Sequence, residues 1–364
     1  MGCGAVSVRL ADRSRSSRRF GVAAAPIRFD LSLSENPFPP LPSVRAAVQR
    51  EVGQTNRYPE FLPTRLPAVI AGRLGVRPDQ VVVGSGATGV AMQILQTLAR
   101  PDFVSAAGAR SCSEMVLGMP TFDGYPILAG MAGVDVVGIP LDPAGEQDLP
   151  AIARAVTPRT RLVVLCRPHN PTGTLISQRD LRRFLRTVPA HIPIILDEAY
   201  AEFLPAPERL DPLPLLARHP NLLILRTFSK AYGLAGLRIG YALGHPDLIT
   251  RARRLQLPFG TPTFALTAVT ASYAAEPELA VRVARITEER DSLREALRRT
   301  GIEVPPSYAN FLYLPGPGVA TALRRAGIAA KAYADGSARI AVGDAEAGRA
   351  VLKAVHTLER TRSR

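Results

Sequence analysis

Lysine is almost missing from this chain. Only Lys230, Lys331 and Lys353 occur among the 45 lysines and arginines of its 364 residues. Arginine stays charged in proteins, whereas a lysine can be tuned to lose its proton and act as a nucleophile. A chain so poor in lysine makes each remaining one informative. Cysteine is scarce too. Cys3, Cys112 and Cys166 are odd in number and scattered, which excludes a disulfide framework and a cysteine-based metal site and fits a reducing cytoplasm. No stretch approaches the ~20 uninterrupted apolar residues of a membrane helix, so no membrane partner is expected. Aromatics make up 6% of the residues, and no helix-turn-helix or zinc-finger spacing accompanies the net charge of +14. The charge is therefore read as an arginine-rich solvated surface, with no nucleic-acid partner.

The first residues, MGCGAVSVRLADRSRSSRRF, lack the apolar core of a secretory signal. Their Met-Gly-Cys start has Val6 where acylation wants Ser or Thr. Residues 1–25 are expected to be a disordered basic arm.

Length suggests two domains. Short apolar runs at Val81–Val83, Val134–Gly138, Leu162–Leu165, Ile192–Leu196, Leu222–Leu225 and Leu237–Ala242 alternate with helical patterns at Ala87–Ala99, Ser177–Val188 and Pro246–Leu255. Apolar strands separated by helices indicate an α/β fold with a largely parallel sheet sandwiched by helices. The tail differs. A long charged helix over Pro277–Thr300 precedes strands at Asn310–Leu314, Ile328–Lys331 and Ala338–Val342, with helices at Pro317–Arg325 and from Asp344 onward. This reads as a smaller α+β domain. The expected division is 26–44 as a segment joining the small domain, 45–245 as the large domain and 246–364 as the small one.

Ligands of open α/β sheets sit beyond the carboxyl ends of the strands. Four polar turns follow predicted strands: Gly84-Ser-Gly-Ala-Thr-Gly89, Arg167-Pro-His-Asn-Pro-Thr-Gly173, Asp197-Glu-Ala-Tyr200 and Arg226-Thr-Phe-Ser-Lys230. The first matches G-x-G-x-x-G before a helix, a ready phosphate site. A dinucleotide site also wants an acid at the next strand's end. The stretch after Arg100 offers no such strand: Glu114 precedes an apolar stretch and Asp135 begins one. Asp197 is a buried acid that needs a partner. A protonated pyridine nitrogen would serve, and so would a helix N-terminus that it caps. Lys230, at a strand-end turn, can condense with an aldehyde if cations and burial lower its pKa. Arg238, eight residues on, follows a glycine-punctuated turn that could bring it back to the same phosphate.

The segment Arg226-Thr-Phe-Ser-Lys-Ala-Tyr-Gly-Leu-Ala-Gly-Leu-Arg238-Ile-Gly-Tyr241 resembles the lysine motif of pyridoxal 5′-phosphate (PLP) fold-type I, class I/II aminotransferases. It is most similar to the histidinol-phosphate aminotransferase branch and its aromatic relatives. Leu31–Pro40, Asn56-Arg-Tyr-Pro59, Pro120-Thr-Phe122, Asn170-Pro-Thr-Gly173, Asp197-Glu-Ala-Tyr200, Ser307-Tyr-Ala-Asn310-Phe311 and Arg339-Ile-Ala-Val-Gly343 resemble that branch in the same order. The resemblance implies PLP as cofactor, a homodimer, and substrates that are an amino acid or a phosphorylated amine with a 2-oxo acid. Lys230 would hold PLP as a Schiff base and shuttle the proton. Asp197 would pair with the pyridine nitrogen, Asn170 and Tyr200 with the ring hydroxyl, and Phe122 would stack on the ring. Thr227, Ser229, Arg238 and the backbone amides of Ala87 and Thr88 would hold the phosphate, which Tyr58 of the other subunit would also reach. Arg339, Lys331 and Asn310 would bind substrate.

The chain departs from the branch in places. Gly86-Ala-Thr-Gly89 lacks the usual acidic pair, His169 replaces an Asn, Pro67 enters a helix, and 101–114 is longer. The implied reaction joins glutamate and 2-oxoglutarate to histidinol phosphate or an aromatic amino acid, leaning to the phosphate if Lys331 adds a second cation. A decarboxylase or lyase on the same scaffold is the alternative.

Overall fold

The computed structural model describes residues 26–99 and 113–362. The expected N-terminal arm, Cys3, Cys112 and nearly all of the lengthened 101–114 segment lie outside them. The strands are β1 (Phe29–Asp30), β2 (Val81–Ser85), β3 (Glu114–Met119), β4 (Asp135–Pro140), β5 (Thr160–Cys166), β6 (Ile194–Asp197), β7 (Leu222–Thr227), β8 (Ile239–Gly244), β9 (Phe311–Leu314), β10 (Ile328–Ala329), β11 (Lys331–Ala332) and β12 (Ala338–Ala341).

A seven-stranded sheet runs in the order β2-β8-β7-β6-β5-β3-β4. Of these described strands, β8 alone opposes the rest, being antiparallel to both β2 and β7. Alternate residues of each strand enter different cores. Val81, Val83, Val163, Leu165, Ile194 and Leu196 join one. Val82, Leu162, Val164, Ile195, Leu223 and Leu225 join the other. Burial on both faces explains the near-continuous apolar runs. The helix Gln178–Thr187 shows how the cover forms: Ser177 caps it through Asp180 N–H, and Leu181, Phe184 and Leu185 are buried while the arginines stay outside.

Strand β3 is not among the expected ones. Glu114 opens it, rather than following it, and pairs with Arg159. The first acid beyond its carboxyl end is Asp123, past the Pro120-Thr-Phe122 turn. Pro67 falls in the first turn of helix Arg65–Leu74, where its missing N–H costs nothing.

A further core, built from Leu293, Leu297, Leu312, Leu314, Val319, Leu323, Ile340 and Val351 together with Leu31, lies in the C-terminal region. Strand β1 pairs with β10 in parallel, and β11-β12-β9 forms an antiparallel sheet. The single strand expected at Ile328–Lys331 is two short ones, because the chain changes partner at Ala330. Ile249 and Ala252 of helix Pro246–Arg253, and Ala265, Ala268 and Val269 of helix Ala265–Ala274, pack into the cores of the large sheet. The boundary expected at 246 thus precedes two helices that belong with that sheet. The helix Glu276–Arg299 then leads into the smaller unit. Among the described residues, no helix is long and apolar enough to cross a membrane.

Candidate active site

Because six strands run one way, their carboxyl ends share one edge of the sheet, and the start of antiparallel β8 lies there too. Register fixes the neighbours: Ser85 faces Ile239, Gly240 faces Thr227, and Cys166 faces Asp197. A cavity of about 400 Å³ opens at this edge. Ala87, Thr88, Phe122, Asn170, Asp197, Tyr200, Thr227, Ser229, Lys230, Arg238 and Arg339 all line it. The fold thus gathers in one place most of the residues that the sequence motifs single out.

One end of the cavity is an anion cradle. The helix Gly86–Ile94 starts there, and the first N–H groups of a helix have no acceptor within it. Gly86 has φ of +72°, and a Cβ on it would lie 2.3 Å from Nη2 of Arg238. A Cβ on Gly240 would lie 2.1 Å from the Ala87 nitrogen. Both glycines let backbone and guanidinium close on one point. Arg238 itself has φ of +50°, a left-handed conformation that costs an arginine about 1 kcal/mol or more. Its carbonyl accepts from Gly86 N–H at 2.8 Å, which fixes the two turns together. Thr227 Oγ1 donates to Ser229 Oγ at 2.9 Å and accepts from Ser229 N–H.

Lys230 lies between this cradle and the smaller unit. Its Nζ donates to the Ser34 carbonyl at 2.9 Å. Burial, helped by the nearby Arg339 and opposed by Asp197, brings its pKa down to about 8. Asn36 Nδ2 donates to the carbonyls of Lys230 and Ala231, so the segment around Ser34 straps the lysine turn.

Asp197 ends β6 at the cavity floor. Burial raises its pKa, against the hydrogen bonds of Tyr125 and of Ala199 N–H and the charge of Lys230. Tyr125 donates to Asp197 Oδ2 at 2.6 Å. None of the sequence motifs includes this tyrosine. The available signal is its place three residues after Phe122, a spacing that puts two side chains on one helical face, and the two rings do meet edge to face at 6.0 Å. Asn170 Nδ2 donates to Tyr200 Oη at 3.2 Å. Its turn is shaped by His169, whose Nδ1 lies 2.9 Å from Thr172 Oγ1 and whose main chain bonds to Thr174 and Gly173.

Arg339 faces the cavity from β12. Nη1 donates to Asn170 Oδ1 at 2.9 Å and Nη2 to the Ser32 carbonyl at 2.7 Å. Its Nε is buried with no partner among the described residues, and each terminal nitrogen carries a second N–H, which is donor capacity for an incoming carboxylate. Lys331 is Arg339's cross-strand neighbour, but its ammonium is paired with Asp123. Asn310, expected at the substrate, is fully buried and donates to the carbonyls of Ser34 and Glu35; it holds the strap instead of lining the cavity. Tyr58 is also away from this cavity: it is 80% exposed and stacks near Phe259 at 4.6 Å.

The chain is 39% identical over 335 residues to an aromatic amino acid aminotransferase of Streptomyces avermitilis, covering 91% of this chain and 90% of that protein. It is 42% identical over 326 residues to one of Cutibacterium acnes, covering 88% and 90%. Among solved structures, the histidinol-phosphate aminotransferase of Sinorhizobium meliloti in complex with PLP superposes with a TM-score of 0.82 at 26% identity, over 93% of this chain and 92% of that one. Residues 26–355 match the model of the family described as aminotransferase class I and II. With this cavity, this lysine and that match over nearly its whole length, the chain belongs to the class I and II aminotransferases.

Proposed function

We propose that this aminotransferase uses PLP to move amino groups between aromatic amino acids and 2-oxo acids, with glutamate and 2-oxoglutarate as the other pair, and that it works as a homodimer. The observation that carries the reading is the pairing, in one cavity, of a lysine with a lowered pKa and an arginine with N–H groups to spare. The first suits an aldehyde and the second a substrate α-carboxylate.

The residues present fit PLP. A cradle closed by Gly86 and Arg238 suits its phosphate. Asp197 accepts two hydrogen bonds in the structure, and a carboxylate has capacity for more, which suits a pyridinium N–H. When bound, PLP supplies the electron sink that lets a bond at the substrate Cα break.

The chain's own groups do the rest. Thr227, Ser229, Arg238 and the Ala87 and Thr88 amides hold the phosphate. Asp197, kept in place by Tyr125 and Ala199 N–H, keeps the ring nitrogen protonated. Asn170 and Tyr200 serve the ring hydroxyl, and Phe122 covers the ring face. Arg339 orients the substrate by its carboxylate. The Lys230 amine takes the proton from the substrate Cα and returns it on the other side of the transfer. A lysine with its pKa near the working pH suits both directions.

Aromatic substrates are favoured over histidinol phosphate on two grounds. Relatives similar over almost the whole chain carry the aromatic name. A phosphate at Arg339 would want a second cation, and Lys331 is already paired with Asp123. For the dimer, Tyr58, Phe61, Leu257 and Phe259 expose apolar surface in one region, as an interface would. The test is to supply purified PLP-loaded protein with phenylalanine or tyrosine and 2-oxoglutarate and to measure glutamate. Glutamate formed at rates well above those with histidinol phosphate supports the reading. No glutamate from any aromatic amino acid overturns it.

A further inference from the structure

Lys331 and Arg339 are directly opposed across β11 and β12. In an antiparallel pair, opposed side chains leave the same face of the sheet. Arg339 turns into the cavity. Lys331 reaches across to the large unit and donates to Oδ2 of Asp123. Asp123 immediately follows Phe122, a cavity residue. It stands at the N-terminus of helix Gly124–Ala132 without capping it through its side chain, so its carboxylate has no local structural duty there. Tyr333, two residues beyond Lys331 and hence on the same face, places its ring 5.9 Å from Lys331 Nζ. The ring of Tyr313, cross-strand from Arg339, lies 5.7 Å from that of Tyr333. Beside Arg339 there are thus two tyrosine rings and one closed ion pair.

The pair has two properties that matter for substrate choice. It cancels the charge of the cation directly opposite Arg339 in the sheet. It is also half-exposed, with the lysine side chain 34% and the aspartate side chain 55% accessible, and exposed pairs are weak. An anionic substrate group can compete for the lysine; an uncharged ring leaves the pair closed.

We propose that Asp123 and Lys331 set substrate selectivity by charge: the closed pair favours amino acids with an uncharged ring, and a substrate that brings more than one negative charge engages only by taking Lys331 from Asp123. This deepens the aromatic reading given above and rests on it. The further charge is the distal carboxylate of a dicarboxylic amino acid or the second charge of a phosphate monoester that takes the place of the α-carboxylate, and one enzyme takes both classes because the weak pair opens for the one and stays shut for the other.

The test measures kcat/KM of the holoenzyme for phenylalanine, glutamate and histidinol phosphate, in wild type, Asp123→Asn, Lys331→Met and the double variant. In Asp123→Asn the freed ammonium raises the ratios of glutamate and histidinol phosphate to phenylalanine by about three- to fivefold, the upper part of the range expected for one exposed pair. Lys331→Met lowers both ratios, and the double variant loses the gain of Asp123→Asn. Ratios within about twofold of wild type in Asp123→Asn overturn the proposal, as does a gain that persists in the double variant, since Asp123 would then act without Lys331. If the wild type does not use phenylalanine, the aromatic reading fails instead, and the ratio of glutamate to alanine still decides whether the pair selects by charge. Thermal melts of all four proteins separate these outcomes from misfolding.

Discussion

Tyr125 donates its phenolic hydrogen to Asp197 Oδ2 at 2.6 Å, joining the first turn of one helix to the end of a strand 72 residues away. Asp197 is buried, and burial alone favours its neutral form. The tyrosine is one of three groups that oppose this, with Ala199 N–H and Lys230. Hydrogen bonds to a charged group are worth about 1.5–3 kcal/mol. Tyr125→Phe therefore raises the Asp197 pKa and lowers kcat/KM by about ten- to a hundredfold. The acid limb of the kcat/KM profile moves to higher pH, because losing a donor favours the protonated carboxyl. An unmoved acid limb with normal turnover would show that Tyr125 is only a packing residue.

How much of this molecule is legible in its sequence follows from distance along the chain. The apolar runs of β2, β5, β6, β7 and β8 and the polar turns after them are local patterns, so the sheet edge that carries the site can be read from sequence alone. Asp123 and Lys331 are 208 residues apart, and no local pattern marks their meeting. Strand β3 escapes a local reading because Glu114–Met119 is short, opens on an acid and contains Gly118. Its identity comes from pairing with β4 and β5 on either side. Resemblance alone places Asn310 at the substrate; its environment is set by the strap at Ser34 and Glu35, which belongs to a different part of the chain.

Lys230 gives a pH test. Only the neutral amine attacks an aldehyde, and the lysine pKa is about 8. The rate of PLP capture by apoprotein, followed by absorbance in a stopped-flow instrument, rises with pH and levels off above an inflection near 8. Arg339 holds the pKa down and Asp197 holds it up. Arg339→Met thus moves the inflection to higher pH and Asp197→Asn moves it lower. An inflection near the ordinary lysine value of 10.5 in the unaltered protein would contradict the account. Lys230→Ala should fold but lose both the visible absorption of lysine-linked PLP and turnover.

His169 contributes to the loss of stability in acid. Burial lowers its pKa from 6.5 to about 3. Below pH 6.5 the unfolded chain takes up a proton that the folded chain refuses, so stability is lost as pH falls from 6.5 toward 3. At about pH 5 the loss is about 2 kcal/mol from this one group. His169→Asn removes that slope, although it also gives up the contact with Thr172. Urea unfolding at about pH 7.5 and about pH 5 should show the gap in stability between wild type and variant shrinking by about that amount at the lower pH. Equal acid losses in the two proteins would mean that His169 is not the group responsible.

The dimer gives the sharpest test of site assembly. Tyr58 is exposed and is not among the residues that line its own chain's cavity. If the partner's cradle is its destination, each site combines Lys230 of one subunit with Tyr58 of the other. Tyr58→Ala homodimers then bind PLP weakly, and Lys230→Ala homodimers are inactive. A mixed dimer of the two variants restores one complete site, because the subunit that keeps Lys230 receives an intact Tyr58 from its partner. The other site carries both defects. Random mixing makes half of the dimers mixed, so activity at limiting PLP should recover to roughly a quarter of wild type. If each chain used its own Tyr58, the subunit that keeps Lys230 would always lack the tyrosine. Mixing would then give no recovery beyond the Tyr58→Ala protein alone, and the shared site would be ruled out. Subunit exchange, confirmed by differently tagged chains, makes the two outcomes distinguishable.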